Sequence, residues 1–197
     1  MNNLFAGQLV RLRALEPHDA EAQFRHLQDT EISRLDSNIE FPHSLADLRR
    51  RLENPREPRY PDDKSLVIET LAGDLVGEIN VQLTDPRNGT FSLGIGLPER
   101  RAWGKGYAKE AMLLILRFMF HERRYQKCNI GVFAFNERAL GLYRHLGFVD
   151  EGRIRRSVFT NSAFYDELLL GITVEEFDTR YPEWRIKLEK DPLEAGG

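Results

Sequence analysis

The chain has 197 residues, 41% of them apolar, which is enough for one domain with a sizeable core and short for two. Its 28 Lys and Arg against 31 Asp and Glu leave a net charge of -3, without the basic excess of a nucleic-acid-binding protein. Cys128 is the one cysteine, so no internal disulfide forms, and neither a signal-peptide pattern nor an apolar run of about 18 residues is present; a cytoplasmic protein with no membrane contact is expected.

Gln8 to Arg13 alternates as a half-buried strand does, with Leu9 and Leu15 flanking its inward face. Pro17, with Glu16 and Asp19 around it, opens a helix on which Ala20, Phe24 and Leu27 recur at helical spacing. Residues 29–43 lack a clean period and read as a loop. Ser44 with Asp47 resembles a capping box and starts a second helix to about Leu52, its Arg49, Arg50 and Arg51 on a solvated face. Pro55, Pro58 and Pro61 make 54–63 an extended connection. Strands over 65–70, 75–83 and 90–97, parted by turns at Gly73-Asp74 and Asp85 to Gly89, predict an antiparallel meander.

Arg101 to Ala108 then forms a turn into a long helix with the apolar stripe Ala108, Ala111, Met112, Ile115 and Met119. Lys127 to Phe133 alternates as a strand, and a right-handed crossover sets it beside and parallel to strand 90–97. Asn136 starts a helix that Gly147 stops, and 148–156 with 164–173 read as a final hairpin. A single domain is expected over 1–175, then a charged tail over 176–197 that ends in a disordered Glu194-Ala195-Gly196-Gly197.

The turn has the make-up of an anion site. The first amides of a helix have no intrahelical partner and lie at the positive end of its dipole. Gly104 and Gly106 let the backbone bend and approach a ligand, and Arg101 and Lys105 add cations. The plainer reading is an ordinary strand-to-helix loop with two convenient glycines. Asn136 and Tyr143 stand seven positions apart, close to two helical turns, so they share a face that begins beside this turn. Their plainer roles are a helix N-cap and a half-buried core aromatic.

In these two elements the chain resembles the GNAT superfamily of acyl-CoA-dependent N-acetyltransferases. Arg101-Ala102-Trp103-Gly104-Lys105-Gly106 fits the R/Q-x-x-G-x-G/A element, and Asn136-Glu137-Arg138-Ala139 with Tyr143 and Leu146-Gly147-Phe148 fits the second half. The Trp103 to Tyr107 form, with the ending Gly152-Arg153 to Tyr165-Asp166, is most similar to the RimJ/RimL branch, the ribosomal-protein alanine N-acetyltransferases. The resemblance spans about residues 8–175. It implies an α+β fold: a mixed, mostly antiparallel sheet with one parallel strand pair splayed around acyl-CoA and helices on both faces. It also implies acetyl-CoA as cosubstrate, held by the amides of Trp103, Gly104, Lys105, Gly106, Tyr107 and Ala108 at its pyrophosphate. The main chain of Ile95, Gly96 and Leu97 would pair with the pantetheine arm, Asn136 would hydrogen-bond it, and Tyr143 would protonate the departing thiolate. A homodimer is a family-level expectation.

Family members often carry a Glu on the strand before the glycine turn, but Thr90 to Leu97 has no carboxylate. Glu78 on the neighbouring strand is the first substitute as base, its plainer role being an outward-facing surface residue, with Asp166, Glu167 or water behind it. An α-amine of pKa about 8 is substantially neutral near pH 7.5, whereas a lysine amine is neutral at about one part in a thousand, so an α-amine tolerates a weak base better. The five histidines, at 18, 26, 43, 121 and 145, lack ligand spacing, and no metal is expected. No nucleotide P-loop spacing is present. The expected activity is direct transfer of acetyl to a primary amine, a peptide N-terminus or a small molecule, in a ternary complex. The alternative is a non-catalytic CoA-binding sensor or partner-binding protein on the same fold. The first two helices, the loop 54–63 and the last hairpin would build the acceptor pocket, where Arg153, Arg155 and Arg156 could attract an acidic acceptor, the plainer reading of the three being a solvated hairpin.

Overall fold

The alternating apolar positions along the chain converge on one sheet. The computed structural model describes residues 3–36, 39, 41–55 and 57–185. Its strands are β1 (Val10–Ala14), β2 (Lys64–Thr70), β3 (Leu75–Asp85), β4 (Thr90–Gly96), β5 (Lys127–Phe133), β6 (Val149–Thr160) and β7 (Ala163–Thr173). They lie in the order β1-β2-β3-β4-β5-β7-β6, and every neighbouring pair is antiparallel except β4 with β5. The mixed sheet with one parallel pair is therefore the expected fold.

Between the strands run α1 (Ala20–Leu27), α2 (Thr30–Asp36), α3 (Leu45–Glu53), α4 (Tyr107–Arg117) and α5 (Glu137–Leu146), with α6 (Val174–Arg180) after β7. Helix α4 is the centre of the core. Ala111 to Leu116 are all buried, and they join Ile79, Val81, Phe91, Leu93, Cys128, Ile130 and Val132 from the sheet in one apolar cluster. At roughly 1.5–3 kcal/mol for each fully buried aliphatic or aromatic side chain, this contact outweighs any single polar interaction in the molecule. Helix α5 lies beside α4, with Lys109 Nζ 3.4 Å from His145 Nε2. Glu78, which alternates with Ile79 and so faces the other way, meets Gln23 of α1 at 2.8 Å. Helices thus cover both faces.

The parallel pair is short. β4 and β5 are in register only at Thr90 with Lys127, Phe91 with Cys128 and Ser92 with Asn129. Beyond that point β4 stays with β3, as far as Gly96 opposite Glu78, and β5 stays with β7, as far as Phe133 opposite Glu167. The sheet therefore splits down its middle.

Four expectations need correction. Residues 29–43 are not all loop, because α2 occupies Thr30–Asp36. On β1 the inward residues are Val10 and Leu12, 0% and 6% exposed, whereas Leu9 is 42% exposed. The segment after β7 is not simply a charged tail, since α6 seats Phe177, 0% exposed, in the core and a 3-10 turn follows at Pro182–Trp184. The rest of that tail, including Glu194 to Gly197, lies outside the described residues. The hairpin is longer than expected, and Asn161 and Ser162 form its tip with φ of 53° and 60°, the left-handed pair a two-residue hairpin turn requires.

Candidate active site

Helix α4 begins without a side-chain cap. Its N-cap is Gly106, at φ 85°, and Gly104 two residues earlier has φ 73°. Both angles lie where a side chain strains the backbone, so glycine is what permits the turn. The contrast with α3, α5 and α6 is informative, because Ser44, Asn136 and Thr173 accept from the first-turn amides there. At α4 no side chain fills that place, and the amides after Gly106 remain available to an anion. Trp103 closes the turn from the sheet side, donating from Nε1 to the Leu97 carbonyl at 2.7 Å. The Arg138 guanidinium stacks over the Trp103 ring, 3.7 Å from its centroid. Of the predicted cations, Arg101 pairs with Glu99 at 3.2 Å and Lys105 is exposed at the turn.

From this turn a cleft of about 740 Å³ runs through the split in the sheet. Ser92 to Leu97 line one wall and Gly131 to Phe133 the other. Past Ser92 and Asn129 these inner strand edges do not pair with each other, so their backbone groups can bond an extended chain laid between them. On the α4 side the lining is Trp103, Gly104, Gly106 to Lys109, Asn136, Ala139, Leu142 and Tyr143. The structure thus brings together the predicted Ile95, Gly96, Leu97, Trp103, Gly104, Gly106, Tyr107, Ala108, Asn136 and Tyr143. Arg101 and Lys105 stand at the turn without lining the cleft, and neither does Glu78 line it.

Asn136 does two things. Its Oδ1 accepts from the Ala139 amide at 3.1 Å, capping α5, and its Nδ2 donates to the Leu35 carbonyl at 2.9 Å, tying α5 to α2. One N–H and one lone pair of the amide are left for a ligand. Tyr143 is 5% exposed, packs against Phe148 and lines the cleft. Cys128 offers no alternative nucleophile: full burial pushes its thiol well above the usual value.

The far side of the cleft is lined by residues that, Glu167 apart, the sequence did not single out. Ile32 and Leu35 come from α2, Asn80 and Gln82 from the face of β3 that also carries Glu78, and Glu167 from β7. The signal for the first four was weak, a three-residue apolar spacing in a short segment and polar positions alternating along a strand. Nearby, His26 of α1 lies 3.4 Å from Glu99, and burial, which outweighs the attraction of Glu99, holds its pKa below the ordinary value. Among the described residues no cluster of three metal-ligating side chains occurs, and no helix is long and apolar enough to cross a membrane.

An uncapped helix start for an anion, a slot for an extended amide chain and a tyrosine in the slot's lining suit a long anionic carrier with a reactive end. Comparison with known proteins bears on the family and the fold. A family model described as an acetyltransferase (GNAT) domain matches residues 10–149. The chain is 36% identical over 179 residues to the SPbeta prophage-derived uncharacterized N-acetyltransferase YokL of Bacillus subtilis (strain 168), covering 90% of this chain and 97% of that one. A candidate acetyltransferase of T. thermophilus superposes with a TM-score of 0.73 at 29% identity over 92% of each chain. The spermidine N-acetyltransferase of Vibrio cholerae in complex with CoA and spermine shares the fold, with a TM-score of 0.73 at 21% identity over 87% of this chain and 99% of that one.

Proposed function

The chain belongs to the GNAT acetyltransferase family, and on that premise we propose that it moves acetyl from acetyl-CoA directly to a primary amine within a ternary complex. The amides from Gly104 to Ala108 hold the pyrophosphate, that of Trp103 being spent on the Arg100 carbonyl at 3.1 Å, and the inner edge of β4 at Ile95 to Leu97 bonds the pantetheine arm with help from Asn136. That arm delivers the thioester to Tyr143. The observation that carries this reading is the parting of β4 and β5 directly beside the uncapped start of α4.

Tyr143 gives its proton to sulfur as the C–S bond breaks, a step a well-placed hydroxyl accelerates by about a hundredfold or more. No covalent intermediate is needed, in keeping with a buried, inert Cys128. The acceptor class is a small amine or a peptide N-terminus. The Vibrio cholerae relative with spermine supports the first, and the resemblance to the RimJ/RimL branch supports the second.

The test is thiol release from acetyl-CoA with spermine, spermidine, amino acids, aminoglycosides and peptides bearing free N-termini. Tyr143→Phe should lose about a hundredfold in turnover while keeping acetyl-CoA affinity by calorimetry. Acetyl-CoA binding with silence on every amine would favour the sensor reading, and no acetyl-CoA binding would sink both.

A further inference from the structure

We propose that Glu167 of β7 is the group that takes the proton from the acceptor amine, reaching the reaction centre through the space that the missing side chain of Gly131 leaves on β5. The inference rests on the acetyltransferase reading above and adds the base that β4 does not supply.

Three observations place the carboxylate. Glu167 lines the same cleft as Tyr143, in a stretch where β7 stands beside β5 with Phe133 opposite Glu167. A Cβ built on Gly131 would collide with Glu167 Oε1 and stand 3.3 Å from its Cδ, so the carboxylate occupies what a side chain at 131 would fill. Ser157 Oγ donates to Glu167 Oε2 at 2.8 Å, which fixes the group and leaves Oε1 toward the slot. Ser157 reaches it because β6 bulges: Ile154 pairs with Glu167 and Val158 with Tyr165, so four steps on β6 span two on β7. Bulges of this kind re-aim side chains beside active sites.

The competing carboxylates are otherwise engaged. Asp166 accepts from the Arg156 amide at 2.9 Å and pairs with Arg153 at 3.2 Å. Glu78 accepts from Gln23 and stands opposite Gly96, outside the cleft lining. Among the described residues the far wall around Glu167 is otherwise neutral, formed by Asn80, Gln82, Ile32 and Leu35. A carboxylate on that wall attracts an ammonium and lies within the cleft that would hold it.

The step balances. The ammonium gives one proton to Glu167, the freed lone pair forms the C–N bond, and the C–S bond breaks with its electron pair on sulfur, which takes the Tyr143 proton. Of the ammonium's remaining two protons, one stays in the amide and the other makes good the proton Tyr143 gave up. Glu167 then passes its proton to water, leaving amide, CoA thiol and one released proton.

The experiment uses the full chain with acetyl-CoA and the amine panel above. Glu167→Gln should reduce turnover about a hundredfold or more with acetyl-CoA affinity unchanged. The variant must wait for free amine, so its rate should climb about tenfold per pH unit below the amine's pKa, where the wild type is flatter. Gly131→Ala should reproduce the defect by displacing the carboxylate, and the double variant should be no worse than either single one, since both remove the same group. Wild-type turnover that survives Glu167→Gln, or that falls instead with Glu78→Gln, overturns this assignment alone. Additive losses in the double variant also overturn it. A wild type that binds acetyl-CoA and acetylates nothing overturns the enzyme reading and this inference together.

Discussion

At Asn136 one side chain serves fold and site at once, which allows its two bonds to be separated. The oxygen caps α5, and the nitrogen holds the Leu35 carbonyl of α2. Asn136→Ala removes both, and loss of the cap alone should cost about 1 kcal/mol in urea denaturation. Asn136→Asp keeps an acceptor for Ala139 and adds a favourable charge at the start of α5, but sets oxygen against the Leu35 carbonyl. Its stability should stay within about 1 kcal/mol of wild type while the KM for amine rises, because Ile32 and Leu35 of α2 line the cleft where the proposed function seats the amine. Equal KM in Asp and wild type would show that the tie to α2 does not position that wall. The sequence reveals the cap, since Asn at the start of an apolar-periodic segment is a local signal, but the bond to Leu35 spans 101 positions and has no local trace.

At the scale of elements, α4 works from both ends of its first turn. Its amides face the cleft, while Glu110, 9% exposed, turns back to accept from the amides of Gln8, Leu9 and Val10 at 2.8, 2.7 and 2.8 Å. One carboxylate thus ties the segment leading into β1 to the helix whose uncapped start lines the cleft. Glu110→Ala leaves two part-buried donors and the buried Val10 amide without this partner and should cost about 2–3 kcal/mol by denaturant titration. Acetyl-CoA affinity should fall with it, because the segment that packs Leu9 against Gly106 is released. Unchanged stability would mean that water replaces the carboxylate there. Glycine-turn, helix and strand were legible because each is a local pattern of period and cap. Helix α2 was not, because Thr30–Asp36 is too short for a period to stand out. Helix α6 carried a readable signal, Thr173 with Glu176 as a capping box, that the surrounding charge masked. Glu167 stayed one carboxylate among several, because its place depends on the register of β5 with β7 and on a bulge in β6, both set by tertiary pairing.

Across the whole molecule, the charges that join separate elements are held in their ionised or neutral form by the fold, and that makes stability depend on pH. Burial opposes ionisation of Asp19 and Glu69, but Arg13, bonded to both, with the Glu16 amide at Asp19 and Arg11 at Glu69, outweighs it and holds both carboxyls below their ordinary values of 3.8 and 4.5. These contacts join β1, β2 and the turn before α1. For His26 burial is the larger effect, and its folded pKa lies below 6.5. All three groups therefore bind protons more readily in the unfolded chain, so each contributes stability that is complete above its unfolded value and is lost as pH falls through its folded one. Melting temperature should be level above about pH 7, sag between pH 7 and 5 as unfolded His26 charges first, and drop more steeply below about pH 4.5. His26→Gln should flatten the first stage and leave the second, since Asp19 and Glu69 are untouched. Because α1 carries both His26 and the Gln23 that meets Glu78, the first stage should also loosen that helix against β3. Hydrogen exchange at about pH 5.5 should then show α1 opening before the sheet, and exchange that is uniform across α1 and β3 would mean that acid acts on the fold as one unit.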